Sequence, residues 1–376
     1  MFKIKVVITD YEFITGYGLG IAHLWNGLKN KKTCIRSLRR FSVKSFQSKS
    51  AACVNGLTYL KNKSLVLQML EKVFAKNNNI PPDAFLILAT TIGEIDILEN
   101  VVLRDKRVTK DCVLTSLLNK VQQLVKIKEP GIIVSCACAS SLTAIAQAAS
   151  MIRSGKKDCV LIVAADCVSE FVFSGFSSLM ALDKNKAQPF DKNRSGLSLG
   201  EGAGFVLLMS HKRAMQENKK ILGEISGWAI SSDANHMTGP ARDAGGLIKA
   251  LNKALNLSGI SSSNVGCISS HGTGTLYNDA MEIKAFKQVY KKAVPAYSIK
   301  GAIGHTLGTA GLIEVAVALK VQEERIIPAT VGLKHIDPEA KNWVSLLPRR
   351  LKKDTVVLNN CGFGGINAVL ILKKYG

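Results

Sequence analysis

The chain has 376 residues, 47% hydrophobic and 21% charged, with 50 Lys and Arg against 28 Asp and Glu for a net charge of +22. Such a composition excludes disorder, collagen and coiled coil, and the length suffices for a core that needs neither disulfides nor a structural metal. The longest apolar-leaning stretch, residues 301–321, carries His305, Glu314 and Lys320, so no integral membrane segment is expected, and residues 1–10 lack the apolar core of a signal peptide.

Residues 2–10 alternate and then run apolar, which predicts a strand. Residues 21–28 read as a short helix. The spacing of Leu65, Leu67, Leu70, Val73 and Phe74 predicts an amphipathic helix over 65–75. A buried strand is expected over 84–89, ending in Thr90-Thr-Ile-Gly93, and a helix over 113–125. Residues 132–134 form a strand that meets a helix, 141–154, at Cys138. The wholly apolar run 159–165 fits a strand in a sheet covered on both faces. Further strands are expected over 202–209, 265–268, 296–299, 356–358 and 364–372, and a helix over 310–319.

These elements contain a degenerate repeat. A strand leads into Ser135-Cys-Ala-Cys-Ala-Ser-Ser141 and an Ala-rich helix; another leads into Gly301-Ala-Ile-Gly-His-Thr306 and a second Ala-rich helix. Neither helix shows a clean polar face, so both are expected at the centre of the molecule. The two halves are taken as 1–215 and 216–376.

Cys138 lies where a strand turns into a helix, and a helix N-terminus offers partial positive charge and free N–H groups. Those features lower a thiol's pKa, make a thiolate available near neutral pH and suit an oxyanion. An isolated Cys is more often a small apolar side chain, the reading given to Cys136; a C-x-C metal site is not expected. His271 lies in Ser269-Ser-His-Gly-Thr-Gly-Thr275, and His305 ends Lys300-Gly-Ala-Ile-Gly-His305. Two neutral imidazoles can donate together to one developing oxyanion. Lys300 and Glu314 flank the second His and form a plausible buried pair. Asp279 and Glu282 stand at a helix start, where capping is the ordinary role. In Asn359-Asn-Cys-Gly-Phe-Gly-Gly365 a Phe between glycines can cover a pocket and turn its N–H toward an anion.

The nine cysteines are scattered without a C-x-x-C pair, as in a reducing, cytoplasmic setting. Basic clusters include Lys29 to Arg40, Lys61 with Lys63, Lys156 with Lys157, and Arg349 to Lys353. None interleaves with aromatics, so nucleic acid is not the expected partner; an acidic protein or an acidic lipid surface fits better.

Together these motifs resemble the β-ketoacyl-acyl-carrier-protein synthases of the Cys-His-His kind, the type II elongating condensing enzymes of the thiolase superfamily. Pro189-Phe-Asp-Lys-Asn-Arg-Ser-Gly196, Leu199-Gly-Glu-Gly-Ala-Gly204 and Ser231-Ser-Asp-Ala-Asn-His-Met-Thr238 extend the resemblance over nearly the whole chain. It implies an α/β thiolase fold of five layers, α-β-α-β-α, in two pseudo-duplicated halves. It also implies an acyl carrier protein as partner, a homodimer or alternatively a heterodimer with a related subunit, a cytoplasmic setting, and neither cofactor nor metal. In that reading Cys138 takes the acyl group, and His271 and His305 support decarboxylation of malonyl-carrier protein. The N–H groups of Cys138 and Phe363 form the oxyanion hole. Lys300 and Glu314 tune the His305 region, and Asp279 joins their network. Thr273 and Thr275 touch the pantetheine arm, Phe363 gates, and Phe176 lines the acyl pocket.

The chain departs from the family by being shorter, mainly between Gly93 and Ser135, which shapes the acyl pocket and dimer interface. Met180 stands where many relatives carry a carrier-docking Arg, so Lys61, Lys63 or the lysines from Lys120 to Lys128 would have to serve. Ile366 replaces a usual Thr. Three alternatives stand beside this reading: a non-catalytic partner subunit, which would lack the nucleophile; a thiolase or initiating synthase acting on coenzyme A thioesters, which typically replaces one His; and a nucleic-acid binder.

Overall fold

The computed structural model describes residues 4–60, 63–75, 79–103 and 113–376. Ten strands form one continuous path. They are β1 (Val6–Thr15), β2 (Phe85–Ala89), β3 (Ile132–Val134), β4 (Cys159–Asp166) and β5 (Gly202–Ser210), then β6 (Gly223–Ser232), β7 (Val265–Ser269), β8 (Ala296–Tyr297), β9 (Thr355–Gly362) and β10 (Ile366–Lys373). The order is β3-β2-β4-β5-β1 in the first set and β8-β7-β9-β10-β6 in the second. In each set the second strand pairs parallel with the third and fourth, and the fifth runs antiparallel to the fourth and the first. Identical order and direction show the two pseudo-duplicated halves. A short antiparallel pairing of Val6–Ile8 with Ile225–Gly223 joins the two sheets edge to edge.

Three hydrophobic cores separate the layers. The central one holds α5 (Ser140–Arg153) and α11 (Ala310–Glu324) between the inner faces of both sheets, with α1 (Ile21–Lys29) against its flank. The outer face of the first sheet is covered by α2 (Leu65–Phe74), α4 (Leu114–Val125) and α7 (His211–Gln216). That of the second is covered by α8 (Gly245–Ser258) and α9 (Leu276–Val289). Helix, sheet, helix, sheet, helix is the expected five-layered thiolase arrangement. The periodicity explains the placement: a helix apolar on every side must be covered on every side, and α11 is buried along nearly its whole length. Strands β4 and β5 lie between two helix layers and are buried at every residue.

Two further helices, α3 (Ile95–Leu103) and α6 (Glu170–Ser178), pack together beside a small aromatic cluster around Phe173. No described helix is long and apolar enough to cross a membrane.

The structure differs from the sequence reading at β6. Its Glu224, Ser226, Gly227 and paired serines break the alternation that marks a strand. Gly227 explains one break: a Cβ there would lie 2.3 Å from the Ala254 carbonyl oxygen, so α8 packs directly on the strand backbone. The strand expected over 296–299 is only two residues long, because the chain turns at once into α10 (Lys300–Ile303).

Candidate active site

The chain leaves β3 and turns sharply, with Ala137 at a left-handed φ of 47°, a conformation that costs a non-glycine residue about 1–2 kcal/mol. Ser140 holds the turn. Its hydroxyl accepts the Cys136 N–H at 2.9 Å and donates to the Ala137 carbonyl at 2.6 Å. Cys138 is thereby set just ahead of α5 at the floor of a cavity of about 370 Å³.

His271 arrives from the end of β7, and Glu282 of α9 fixes its backbone. One carboxylate oxygen accepts the His271 N–H at 2.7 Å, the other the Gly272 N–H at 2.7 Å. Asn359 donates to the same carboxylate at 2.8 Å. His305 follows α10 through Gly304, whose φ is +69° and whose added Cβ would lie 2.4 Å from the Leu199 carbonyl oxygen. Only glycine lets the loop pass so close. The His305 N–H then donates to Ser198 O at 2.7 Å.

The sulfur of Cys138 and one ring nitrogen from each histidine lie within 4.8 Å of one another. The imidazole centroids are 5.2 Å apart and nearly perpendicular, at 84°. Behind them runs a buried polar chain. Lys300 Nζ donates to Glu314 Oε1 at 2.5 Å, Asn360 Nδ2 donates to Glu314 Oε2 at 2.6 Å, and the same amide reaches His271 Nδ1 at 3.5 Å. An amide facing Nδ1 favours the tautomer with its proton on Nε2. Both ring nitrogens of His305 lack a partner among the described residues. In a buried site that leaves one donor and one acceptor ready for substrate.

Burial holds both histidines well below the ordinary imidazole value, and the Lys300 charge lowers them further. They are neutral at physiological pH. Burial also pushes the Glu282 carboxyl up to about 7. Cys138 corrects an expectation. Burial pushes its thiol up to about 11, outweighing the Phe363 N–H and the Lys300 charge that pull the other way. The helix start does not leave a resting thiolate, because a sulfur enclosed by apolar groups and neutral rings loses more hydration than the amide dipoles replace.

Phe176, Phe363, Thr273 and Thr275 also line the cavity, and the rings of Phe176 and Phe363 stack 5.6 Å apart. The Phe363 N–H is directed at the Cys138 sulfur. Three of the implied site residues lie outside the cavity lining, in the polar network around it. Asp279 lines no part of the cavity; it accepts N–H groups of Thr273 at 3.0 Å and Phe190 at 2.8 Å and shapes the loop beneath the threonines. Lys300 and Glu314 lie fully buried behind the histidines and act as positioning residues.

Three participants were missed. Glu282 was read as a helix cap, Asn360 carried no periodic signal, and Asp166 ends β4. Asp166 accepts the Thr90 hydroxyl at 2.8 Å, the Thr91 N–H at 3.0 Å and the Gly308 N–H at 2.8 Å, tying the two halves together beside the site. A lone carboxylate closing an apolar strand was the signal available for it. Of the lysines suggested for carrier docking, Lys63 pairs with Glu71 at 2.8 Å and Lys120 with Glu94 at 2.7 Å. Lys61 falls outside the described residues, and Lys126 and Lys128 line no part of the cavity. Cys138, His271 and His305 are also side chains that a zinc ion accepts, and they are the one such group of three among the described residues.

Residues 101–214 match the family described as "Beta-ketoacyl synthase, N-terminal domain", and residues 222–334 match its C-terminal domain. The chain belongs to the β-ketoacyl synthase family. Among curated members of that family, a 3-oxoacyl-[acyl-carrier-protein] synthase 2 of Synechocystis is 29% identical over 411 aligned residues, spanning 99% of both chains. A putative polyketide beta-ketoacyl synthase 1 of Streptomyces virginiae is 28% identical over 98% of this chain and 97% of its own. Among solved structures, the ishigamide ketosynthase/chain length factor superposes with a TM-score of 0.88 at 26% identity, covering all of both chains.

Proposed function

We propose that the chain is a β-ketoacyl-acyl-carrier-protein synthase that extends a fatty-acid, polyketide or specialised-lipid chain by decarboxylative condensation. The observation that carries this reading is the convergence of Cys138 Sγ with one nitrogen from each of two neutral imidazoles within 4.8 Å, on the floor of a cavity.

In the first half-reaction Cys138 Sγ attacks the thioester carbonyl of an acyl-carrier protein. Its proton passes to the open nitrogen of His305, since a thiol held near 11 needs a base at the moment of attack. The Cys138 and Phe363 N–H groups hold the tetrahedral oxyanion. Collapse breaks the bond to the pantetheine sulfur, which leaves with the proton. In the second half-reaction the C–CO₂ bond of malonyl-carrier protein breaks. Its electron pair moves into a thioester enolate whose oxygen accepts hydrogen bonds from the two imidazoles. The enolate carbon attacks the acyl carbonyl; collapse expels the Cys138 thiolate, which is reprotonated from solvent. The products are CO₂ and a β-ketoacyl-carrier protein two carbons longer.

The chemistry as written uses no cofactor or metal, only substrates carried on the phosphopantetheine arm. A homodimer in the cytoplasm fits this reading, and all eight described cysteines are free thiols. The ishigamide relative brings in a second reading, a partner subunit of a ketosynthase/chain length factor pair. Such a subunit has no use for an intact Cys138, His271 and His305 set, which favours the catalytic reading.

The test is mass spectrometry after incubation with acyl-carrier protein. The wild type is expected to gain the acyl mass at Cys138 and Cys138→Ala to gain none, with an unchanged melting temperature. Equal labelling of the variant would remove Cys138 from this role.

A further inference from the structure

The basic run from Arg349 to Lys353 takes no part in lining the active-site cavity. It forms one wall of a separate concavity of about 880 Å³, and the chain just after α9 brings Lys291 and Lys292 to another wall. No Asp or Glu lines this concavity. Lys291, Lys292, Arg350, Lys352 and Lys353 are exposed. None of the five enters an ion pair among the described residues. Asp354, which follows them in the chain, is taken by Arg325. Cations gathered without a counter-charge repel one another and project positive potential outward. Arg349–Arg350 pairs antiparallel with Ile326–Ile327, so the two arginines face opposite ways. Arg349 turns back and donates to the carbonyls of Asn342 at 3.0 Å and Val344 at 3.1 Å. The turn it clamps presents Leu346 and Leu347, which are 39% and 64% exposed. Lys31 donates to the Leu346 carbonyl at 3.2 Å and holds the same turn. Two exposed leucines therefore stand beside a basic concavity.

We propose that this face docks on an anionic lipid bilayer, with Lys291, Lys292, Arg350, Lys352 and Lys353 over the headgroups and Leu346 and Leu347 at the acyl boundary. The pairing of charge with apolar side chains selects the occupant. Phosphorylated headgroups meet the cations, and the apolar boundary beneath them takes the leucines. Nucleic acid offers phosphates along a polar outer surface, which would leave both leucines in water. Docking here leaves the site of chemistry free. Val265 borders the concavity and begins β7, a strand of five residues and about 16 Å, and His271 follows its other end. The Cys138 cavity therefore lies beyond the far end of that strand and is not covered by a bilayer seated on this face. Binding of this kind is independent of the chemistry at Cys138.

The experiment is co-sedimentation of the full chain with vesicles of phosphatidylcholine alone and of phosphatidylcholine with about one-third phosphatidylglycerol. Wild type should bind the anionic vesicles only, and less as salt is added. Lys291→Gln/Lys292→Gln/Lys352→Gln/Lys353→Gln should lose about a hundredfold or more in partitioning, at about fivefold per cation. The control Lys72→Gln/Lys156→Gln/Lys212→Gln/Lys220→Gln removes the same charge from exposed lysines of the first half and should bind as wild type. Leu346→Ser/Leu347→Ser should lose about tenfold and keep its response to salt. Cys138→Ala should bind as wild type, which separates this outcome from the fate of the condensing-enzyme reading. No binding of wild type to anionic vesicles, an equal loss in the two lysine variants, an unaffected leucine variant, or tighter binding to a DNA duplex at the same salt would each overturn the proposal. If the four-site variant does not fold, Lys291→Gln/Lys352→Gln is read in its place, with a loss of about 25-fold expected and wild-type partitioning overturning the proposal.

Discussion

The two halves share one strand order, yet they supply different chemistry from corresponding places. In the first half the turn from β3 into α5 carries Cys138; in the second the passage from β8 toward α11 carries His305, and β7 ends near His271. Backbone strain marks both turns, at Ala137 (φ 47°) and at Leu307 (φ 53°). The first half supplies a nucleophile and the second supplies donors with a buried cation, Lys300, behind them. Burial acts on both alike by opposing charge, so the resting site holds a thiol and two imidazoles rather than a thiolate and an imidazolium. Duplication provided the frame, and the buried polar chain on the second side made the halves unequal.

The sharpest way to break this comparison is to remove the second half's donors. His305→Ala is expected to lower condensation by about 10²–10⁴-fold and, if His305 takes the thiol proton, to slow acylation as well. His271→Ala should spare acylation and impair decarboxylation, read as CO₂ release from malonyl-carrier protein. Equal acylation defects in the two variants would show that the imidazoles do not divide the work as proposed.

Next comes the cation. Lys300→Met leaves Glu314 buried without its partner, which is expected to cost about 3–5 kcal/mol, seen as a lower melting temperature. Lys300→Met/Glu314→Gln should recover much of that loss. A purely structural role would stop there. Because the Lys300 charge lowers both histidines, its removal should also raise their pKa values and move the acid limb of the pH–rate profile toward neutrality.

These features differ in how far the sequence revealed them. The buried strands β4 and β5 and the helices α5 and α11 were legible because enclosure on both sides demands apolar residues throughout, and Cys138, His271 and His305 stood in glycine- and serine-rich turns. Strand β6 was hidden because close packing of α8 requires Gly227 where a strand would carry a side chain. Helix α8 carries a stripe at helical spacing in Leu247, Ala250, Leu251, Ala254 and Leu255. Glu282 and Asn360 were not legible at all, since what matters is which backbone N–H or ring nitrogen they meet after folding. The thiol's pKa is hidden for a related reason: a helix start is written in the sequence, but the depth of the cavity over it is not.

With the thiol raised from an ordinary 9.0 to about 11, iodoacetamide labelling of Cys138 should rise about tenfold per pH unit from pH 7 toward 10; a plateau just above neutrality would mean that the helix start dominates after all. The folded state holds the proton more tightly than the unfolded chain, so the contribution is complete below about 9 and is lost as pH rises toward about 11. Cys138→Ala should therefore gain stability relative to wild type over that interval.

The smallest expected effect concerns metal. The sulfur and two nitrogens within 4.8 Å would suit zinc, but a metal there would occupy the sulfur that must attack and the nitrogens that must donate. The proposed chemistry asks instead for three uncommitted atoms, with positive charge supplied at a distance by Lys300. Overnight treatment with a chelator should leave acylation and condensation unchanged, while added zinc should inhibit both by competing with the acyl donor for Cys138. Activity lost on chelation and restored by zinc would reverse the assignment, making the second half a ligand set rather than a donor pair.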